Sequence, residues 1–406
     1  RGGYSRVYDA NYINLNLNVA GSFPFLASIT FPTSAPGFAT IQNFLQTPNF
    51  VIANPNTLTR TVVADDFRAP SSDQYSFEVQ RELNRDTVFK VGYIGTRGRG
   101  LFQTIDGNPR TACPNGNTIA TTPQTIPLFL CPRVDPTRGV IRLRANRASS
   151  DYNALQTSVE KRLSNNFSAG VNYTYSSFID TASETFNPSN AEVALAQDSF
   201  NLEADRARSS FDRPHRFSGN VVYELPFYSD QNGFVGKMLG GFQVNSFFSI
   251  QSGAPFTVLD GRDPTGAISG IDGLVGNSIR PNLAGTTDLS SLTIPDIRAM
   301  CGTPTTGTFA NSCPNLFTRL VQFQRTGNAG RNIIRAQNFF NVDFGVIKNT
   351  RLTENIRFQL RGDVFNLLNH RNFGVPEGRV SAPNFLDQWG TNGGNRRIVL
   401  GARLVF

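Results

Sequence analysis

Few residues in this chain combine the type and spacing that chemistry requires. The two histidines, His215 and His370, stand in no HExxH or other metal-ligand spacing. No nucleophile can be given both a base and an orienting partner, so enzymatic activity is not expected, and no cofactor is implied. The four cysteines, Cys113, Cys131, Cys301 and Cys313, contain no CxxC, which argues against zinc. They fall as two local pairs, each inside one aperiodic segment. In an oxidising compartment this predicts disulfides Cys113–Cys131 and Cys301–Cys313, each closing a floppy loop and contributing about 3 kcal/mol through chain entropy. The alternative is four inert thiols. Asp260-Gly-Arg-Asp263 and Asp272 lack the EF-hand spacing and read as turn chemistry. Gly327-Asn-Ala-Gly-Arg-Asn332 lacks the GK[ST] of a phosphate-binding loop.

The charges that remain, Arg357, Arg361, Asp363, Arg397 and Arg403, depend on strands for their position. At the C-terminus Ile398, Leu400, Ala402, Leu404 and Phe406 share one parity, while Arg397, Val399, Gly401, Arg403 and Val405 share the other. A period of two over about ten residues is the pattern of a strand crossing an outer membrane, with one face to lipid and one to a wet lumen. In the same way Ile356, Phe358, Leu360 and Val364 oppose Arg357, Gln359, Arg361 and Asp363. The lumen-side charges could contact a plug or an anionic ligand, but pairing across strands with Asp363, Glu224 and their neighbours is the favoured reading.

Composition fits this reading. Hydrophobic residues make up 39% of 406, with mean hydropathy −0.25, and no apolar run approaches the roughly 20 residues of a spanning helix. Phe is abundant at 34 residues, as barrels use it on lipid faces and interfacial girdles. The net charge of +8 is carried by Arg dispersed along the chain, with four Lys (Lys90, Lys161, Lys237, Lys348) and no basic run, so nucleic acid is not an expected partner. Outer-leaflet lipid and lipopolysaccharide would suit scattered Arg. The chain opens at Arg1 without Met or signal peptide, which suggests a piece whose N-terminal part lies elsewhere.

Ten alternating segments predict ten strands, the first over Ile13–Val19. Connections near 84–87, 164–166, 226–241 and 349–355 are short or medium. Those near 21–72, 97–151, 177–214, 252–337 and 367–395 are long, and Asn190 to Ala207 suggests a short helix inside one of them. Short periplasmic turns alternating with long extracellular loops are the signature of an outer-membrane barrel, and they place Phe406 at the periplasmic end. In the strands, Glu78, Glu160, Arg162, Arg216 and Glu224 take the polar parity. Lys161 and Lys348 are exceptions that lie next to turns, where snorkelling costs little. The expected fold is all-β, an antiparallel transmembrane β-barrel portion.

Several strings add a resemblance. They are Tyr152-Asn-Ala-Leu-Gln156, Phe211-Asp-Arg-Pro-His-Arg-Phe217 before Tyr223-Glu-Leu-Pro226, Ser252-Gly-Ala-Pro-Phe-Thr257, Gly327-Asn-Ala-Gly-Arg-Asn332 before Asn341-Val-Asp343, Asp363-Val-Phe-Asn366, and the terminal Phe406. In this order they resemble the Oar-like TonB-dependent receptors of bacterial outer membranes, from about residue 70 onward. That resemblance implies a barrel of about 22 strands filled by an N-terminal plug and energised by TonB, ExbB and ExbD. Residues 1–406 would be its C-terminal part, with the plug and earlier strands missing. Phe406 resembles the insertion signal read by the barrel-assembly machinery. The implied activity is uptake of a bulky solute, peptide or glycan. An adhesin or structural barrel that binds through its loops is the alternative.

Overall fold

The computed structural model describes residues 1–10, 19–22, 24–25, 58–111, 132–183, 195–261, 279–304, 311–319, 326–388 and 394–406. Its strands begin with β1 (Gly2–Tyr8), β2 (Arg60–Val63), β3 (Ser71–Asn84), β4 (Thr87–Asp106), β5 (Ile141–Ser164) and β6 (Phe167–Asp180). β7 (Ala207–Arg208), β8 (His215–Glu224), β9 (Phe242–Gln251), β10 (Pro255–Phe256) and β11 (Asn282–Leu283) follow. The last are β12 (Phe317–Thr318), β13 (Ile334–Arg335), β14 (Phe339–Arg351), β15 (Arg357–Phe365) and β16 (Arg397–Val405). The longer strands pair in the order β1-β3-β4-β5-β6-β8-β9-β14-β15-β16, every pair antiparallel, so each lies beside the next one in sequence. β2 adds parallel to β5, and β7 extends the sheet at the end of β6. No described helix is long and apolar enough to cross a membrane.

Register separates the two faces cleanly. Phe167, Tyr223, Val244, Val346, Gly362 and Leu400 form one cross-strand row from β6 to β16. The adjacent row, on the opposite face, is Ser168, Val222, Asn245, Gly345, Asp363 and Val399. The apolar face is bare, with Phe77, Val79, Leu155, Ile398 and Leu400 all exposed. Such a continuous surface needs lipid as its solvent.

Tight turns join β3 to β4, β5 to β6 and β14 to β15 at one end. Asn165 and Asn166 take φ of 48° and 65°, the left-handed conformations of a two-residue hairpin turn that Asn tolerates. The β8–β9 connection at this end carries the helix Gly233–Leu239. The long connections gather at the other end.

Four expectations need correction. The strand read over Ile13–Val19 falls, except for Val19, outside the described residues, and the first strand is β1 at Gly2–Tyr8. Of the helix suggested over Asn190–Ala207, the described part from residue 195 holds one 3₁₀ turn, Leu202–Asp205. The aperiodic stretch 97–151 is strand at both ends, because β4 runs 20 residues and reaches Asp106 and β5 runs 24 residues from Ile141, while residues 112–131 lie outside the described residues. These lengths exceed the 9–11 residues that cross a bilayer. Their outer parts bury Gln103, Thr104 and Arg144 beside Phe102, Ile105 and Ala145, so no polar-apolar alternation marks them.

The fourth correction concerns the loops expected to be floppy. Segments from the β9–β14 and β15–β16 connections fold together over a core that includes Phe256, Ile297, Phe317, Ile334, Val380 and Leu386. The helix Ile294–Met300 starts in a capping box, in which the Asp296 carboxylate accepts the Thr293 amide at 3.0 Å and Thr293 Oγ1 accepts the Asp296 amide. It turns Ile294 and Ile297 into the core. Cys301 and Cys313 are disulfide-bonded there. Burial of scattered apolar residues, rather than local periodicity, orders this cap. Cys113 and Cys131 lie outside the described residues.

Candidate functional site

The polar face and the cap at its long-loop end are the parts that can meet a solute. On the polar face Arg361 Nε donates to Asp363 Oδ2 at 2.5 Å along β15. The Arg397 guanidinium lies 4.8 Å from the centroid of the Phe365 ring, its register partner. Arg357 stands opposite Arg351 and Val405, and Arg403 stands opposite Gln359. Among the described residues neither Arg357 nor Arg403 has an ion-pair partner. The structure thus brings Arg361 and Asp363 together and spreads the other three along β15 and β16. Farther along the wall Lys90 pairs with Glu160 at 3.0 Å, and Asn172, Asn220 and Asn245 add amides on the same face.

Three of the charges on the apolar face, those of Lys161, Lys348 and Arg81, lie at its short-turn end. Lys161 Nζ turns to Ser164 Oγ at 2.7 Å. Lys348 Nζ donates to the carbonyls of Lys237 and Gly240, at the C-terminal end of helix Gly233–Leu239, and lies over Phe242. Arg81 shares this face with Phe77 and Val79, an exception the sequence pattern did not flag, and it too sits near a turn.

A buried polar joint holds the cap to the sheet. Arg331 is 5% exposed; its guanidinium donates to Asp180 at the end of β6, to the Asp205 carbonyl at 2.9 Å and to Ser183 Oγ at 2.8 Å. Arg280 donates to Asp205 Oδ1 at 2.6 Å and to the Ala329 carbonyl at 2.7 Å. Gln197 bridges the two sides, accepting the Arg280 amide and donating to the Gly327 carbonyl. Arg335 pairs with Asp212, whose other oxygen accepts the Phe178 amide at 2.8 Å. Asn332 accepts from Thr257 Oγ1 at 2.9 Å and donates to the Arg208 carbonyl. Two glycines allow the approach: a Cβ on Gly253 would stand 1.8 Å from the Ala336 carbonyl oxygen, and one on Gly327 would stand 2.1 Å from that of Arg280.

Each guanidinium in this joint is matched by carboxylates or carbonyls, which is what burial of charge demands. Its members are therefore fasteners and are not free for a solute. Asp260, weighed as a calcium ligand, pairs with Arg319 at 2.6 Å, while Asp263 and Asp272 lie outside the described residues. Among the described residues no three His, Cys, Asp or Glu side chains gather as a metal site. Both histidines serve the apolar side: His215 Nδ1 lies 2.8 Å from Tyr173 Oη, and the His370 ring lies beside Phe340.

Sequence reasoning missed the joint, yet the resemblance strings held part of it. Asp212, Thr257, Arg331 and Asn332 each come from one string and meet in space. Asp343 and Asn366 come from two more, with the Asn366 amide donating to Asp343 Oδ1 at 2.8 Å. What remains open to a solute is the polar wall and the cap's outer surface. There Ile294, Pro295, Arg298, Phe373, Asp387 and Gln388 line an open groove of about 450 Å³.

The family model described as outer membrane beta barrel domain matches residues 1–399. Among solved structures, the outer membrane transporter YddB from Escherichia coli aligns with TM-score 0.48 and 9% identity, over 100% of this chain and 38% of its own. The ferripyoverdine receptor of the outer membrane of Pseudomonas aeruginosa aligns with TM-score 0.37 and 8% identity, over 84% and 27%. The FrpB iron transporter from Neisseria meningitidis aligns with TM-score 0.36 and 10% identity, over 86% and 33%. This chain thus spans at most 38% of each of those chains. No curated protein matches the sequence. Two-faced register and near-complete family coverage agree: the chain belongs to the outer membrane β-barrel domain family and is a protein of the bacterial outer membrane.

Proposed function

We propose that residues 1–406 are the C-terminal barrel portion of a TonB-dependent receptor that takes up a bulky solute, a peptide or a glycan. In this reading the short-turn end is periplasmic and the cap is extracellular. Solute is captured on the cap groove and passes along the polar wall. Energy comes from TonB, ExbB and ExbD through a plug. Lipid and lipopolysaccharide surround the apolar face, and the barrel-assembly machinery reads the strand ending in Phe406. The observation that carries the proposal is the cap itself. Its loops are fastened by buried ion pairs above a polar wall, an arrangement costly to build for a barrel that only spans lipid.

The test is uptake by cells expressing the full-length protein, using fluorescent oligopeptide and oligosaccharide pools with and without a protonophore. Accumulation that the protonophore abolishes supports the receptor. Surface binding unaffected by the protonophore, with no accumulation, would instead make this an adhesin or structural barrel.

A further inference from the structure

A charged row crowns the apolar face at its long-loop end. Arg6, Asp73, Arg97 and Asp151 are register partners across β1, β3, β4 and β5, so all four project from the lipid-facing side. The row beneath begins with the partners Tyr4 and Tyr75, and Tyr93 follows one row lower. The Tyr75 and Tyr93 hydroxyls both reach Asn153 Oδ1, at 3.3 and 2.7 Å, and the Tyr4 hydroxyl donates to Asp73 Oδ1 at 2.7 Å. Phe77 and Leu155 share the row of Tyr93, and Val79, Val91 and Val159 lie below. Tyrosines with apolar bodies and bonded hydroxyls mark the boundary of the hydrocarbon zone. The charged row therefore sits at headgroup level.

Its charges do not balance. Asp73 holds Arg6 bidentately, at 2.6 and 2.9 Å. Asp151 receives Arg99 at 2.7 Å, Arg206 at 3.0 Å and Arg97 at 3.9 Å. Four guanidinium groups thus share two carboxylates. The carboxylates are tucked in, each 19% exposed, while the Arg97, Arg6, Arg99 and Arg206 side chains are 60%, 51%, 46% and 40% exposed. Hydrogen bonds to the carboxylates orient the Arg6, Arg99 and Arg206 guanidinium groups, Arg99 also donating to the Gly98 and Ser150 carbonyls, while Arg97 stands at ion-pair distance with its side chain the most exposed of the four. A planar, pre-ordered guanidinium cluster with surplus positive charge matches phosphate.

We propose that this collar binds the phosphate groups of an outer-leaflet glycolipid, whose acyl chains lie on Phe77, Val79 and Leu155. The proposal rests on the orientation given above, with the cap outside. The test measures lipid retention by the purified full-length protein, using native mass spectrometry after detergent washing. The probes are bis-phosphorylated lipid A, its dephosphorylated form and phosphatidylglycerol, with EDTA present so that no divalent cation bridges. Wild type should retain phosphorylated lipid A. Arg97→Gln with Arg206→Gln should weaken retention by about tenfold or more, the effect of losing charge-assisted phosphate contacts. Arg97→Lys with Arg206→Lys should keep part of it, which separates charge loss from misfolding. Equal retention by wild type and the Gln variant, or of dephosphorylated lipid A, would overturn the proposal. So would phosphatidylglycerol held as tightly through the same arginines. Protonophore-sensitive uptake that survives in the Gln variant leaves the receptor reading standing whatever the lipid result.

Discussion

Arg280 and Asp205 meet at 2.6 Å across 75 residues of sequence, and both are almost wholly buried. One belongs to the β9–β14 connection and the other to the β6–β8 connection, so this contact ties two loops that share no strand. Asp205→Ala would leave the Arg280 guanidinium buried without its carboxylate. The expected cost is about 3–5 kcal/mol, seen as faster hydrogen exchange across residues 279–304. Replacing both partners, Asp205→Leu with Arg280→Met, should recover most of that loss. If the double variant exchanges as fast as the single one, the ion pair is not the source of the effect.

The Cys301–Cys313 disulfide closes a short loop inside the cap core. Cys301→Ser with Cys313→Ser should lower cap stability by about 3 kcal/mol, the entropy of closing such a loop. Limited proteolysis should then cut between these positions while the sheet stays intact. Unchanged protease resistance would mean that the apolar packing suffices alone.

The cap should also respond to acid. The Arg379 guanidinium holds the Glu377 carboxyl below its ordinary value, the Thr293 hydroxyl does the same for Asp296, and Ser290 does so for Asp288. Groups with depressed folded pKa values contribute stability that is complete above the unfolded value of about 4 and is lost as pH falls through the folded one. Protease resistance of residues 279–304 should therefore be flat from neutral pH to about pH 5 and decline below about pH 4. A loss centred near neutrality would point to other groups.

Much of the sheet was legible because lipid imposes a strict parity on residues such as Ile398, Leu400 and Leu404. β1 escaped notice because Gly2, Tyr4, Arg6 and Tyr8 alternate with Gly3, Ser5 and Val7, and neither set is apolar enough to name a face. The outer parts of β4 and β5 escaped because folded loops bury them, polar residues included. The cap was illegible for a different reason. Ile297, Phe317 and Val380 are far apart in sequence and show no period, so their core exists only once the loops assemble. Of the candidate charges, Arg361 pairs with Asp363 along its own strand instead of across strands, and the fasteners Arg280 and Arg335 carry no local signal at all.

The two faces make opposite demands at neighbouring positions of β16. Leu400→Arg would place a charge on the lipid face and should cost about 2–4 kcal/mol in folding from denaturant into bilayers. Val399→Arg projects from the polar face opposite Asp363 and should be nearly neutral. Equal costs would mean that the faces do not differ in solvent.

The most direct measurement is a spin-label scan of β16 in outer membranes. Single cysteines would be placed in turn at positions 398–403, after alkylation of any free thiol, and collision rates recorded with oxygen and with a water-soluble nickel complex. Labels at 398, 400 and 402 should favour oxygen, and those at 399, 401 and 403 should favour nickel, giving a period of two. Accessibility that varies smoothly along the strand, or nickel access at every position, would contradict a strand set between lipid and a wet lumen.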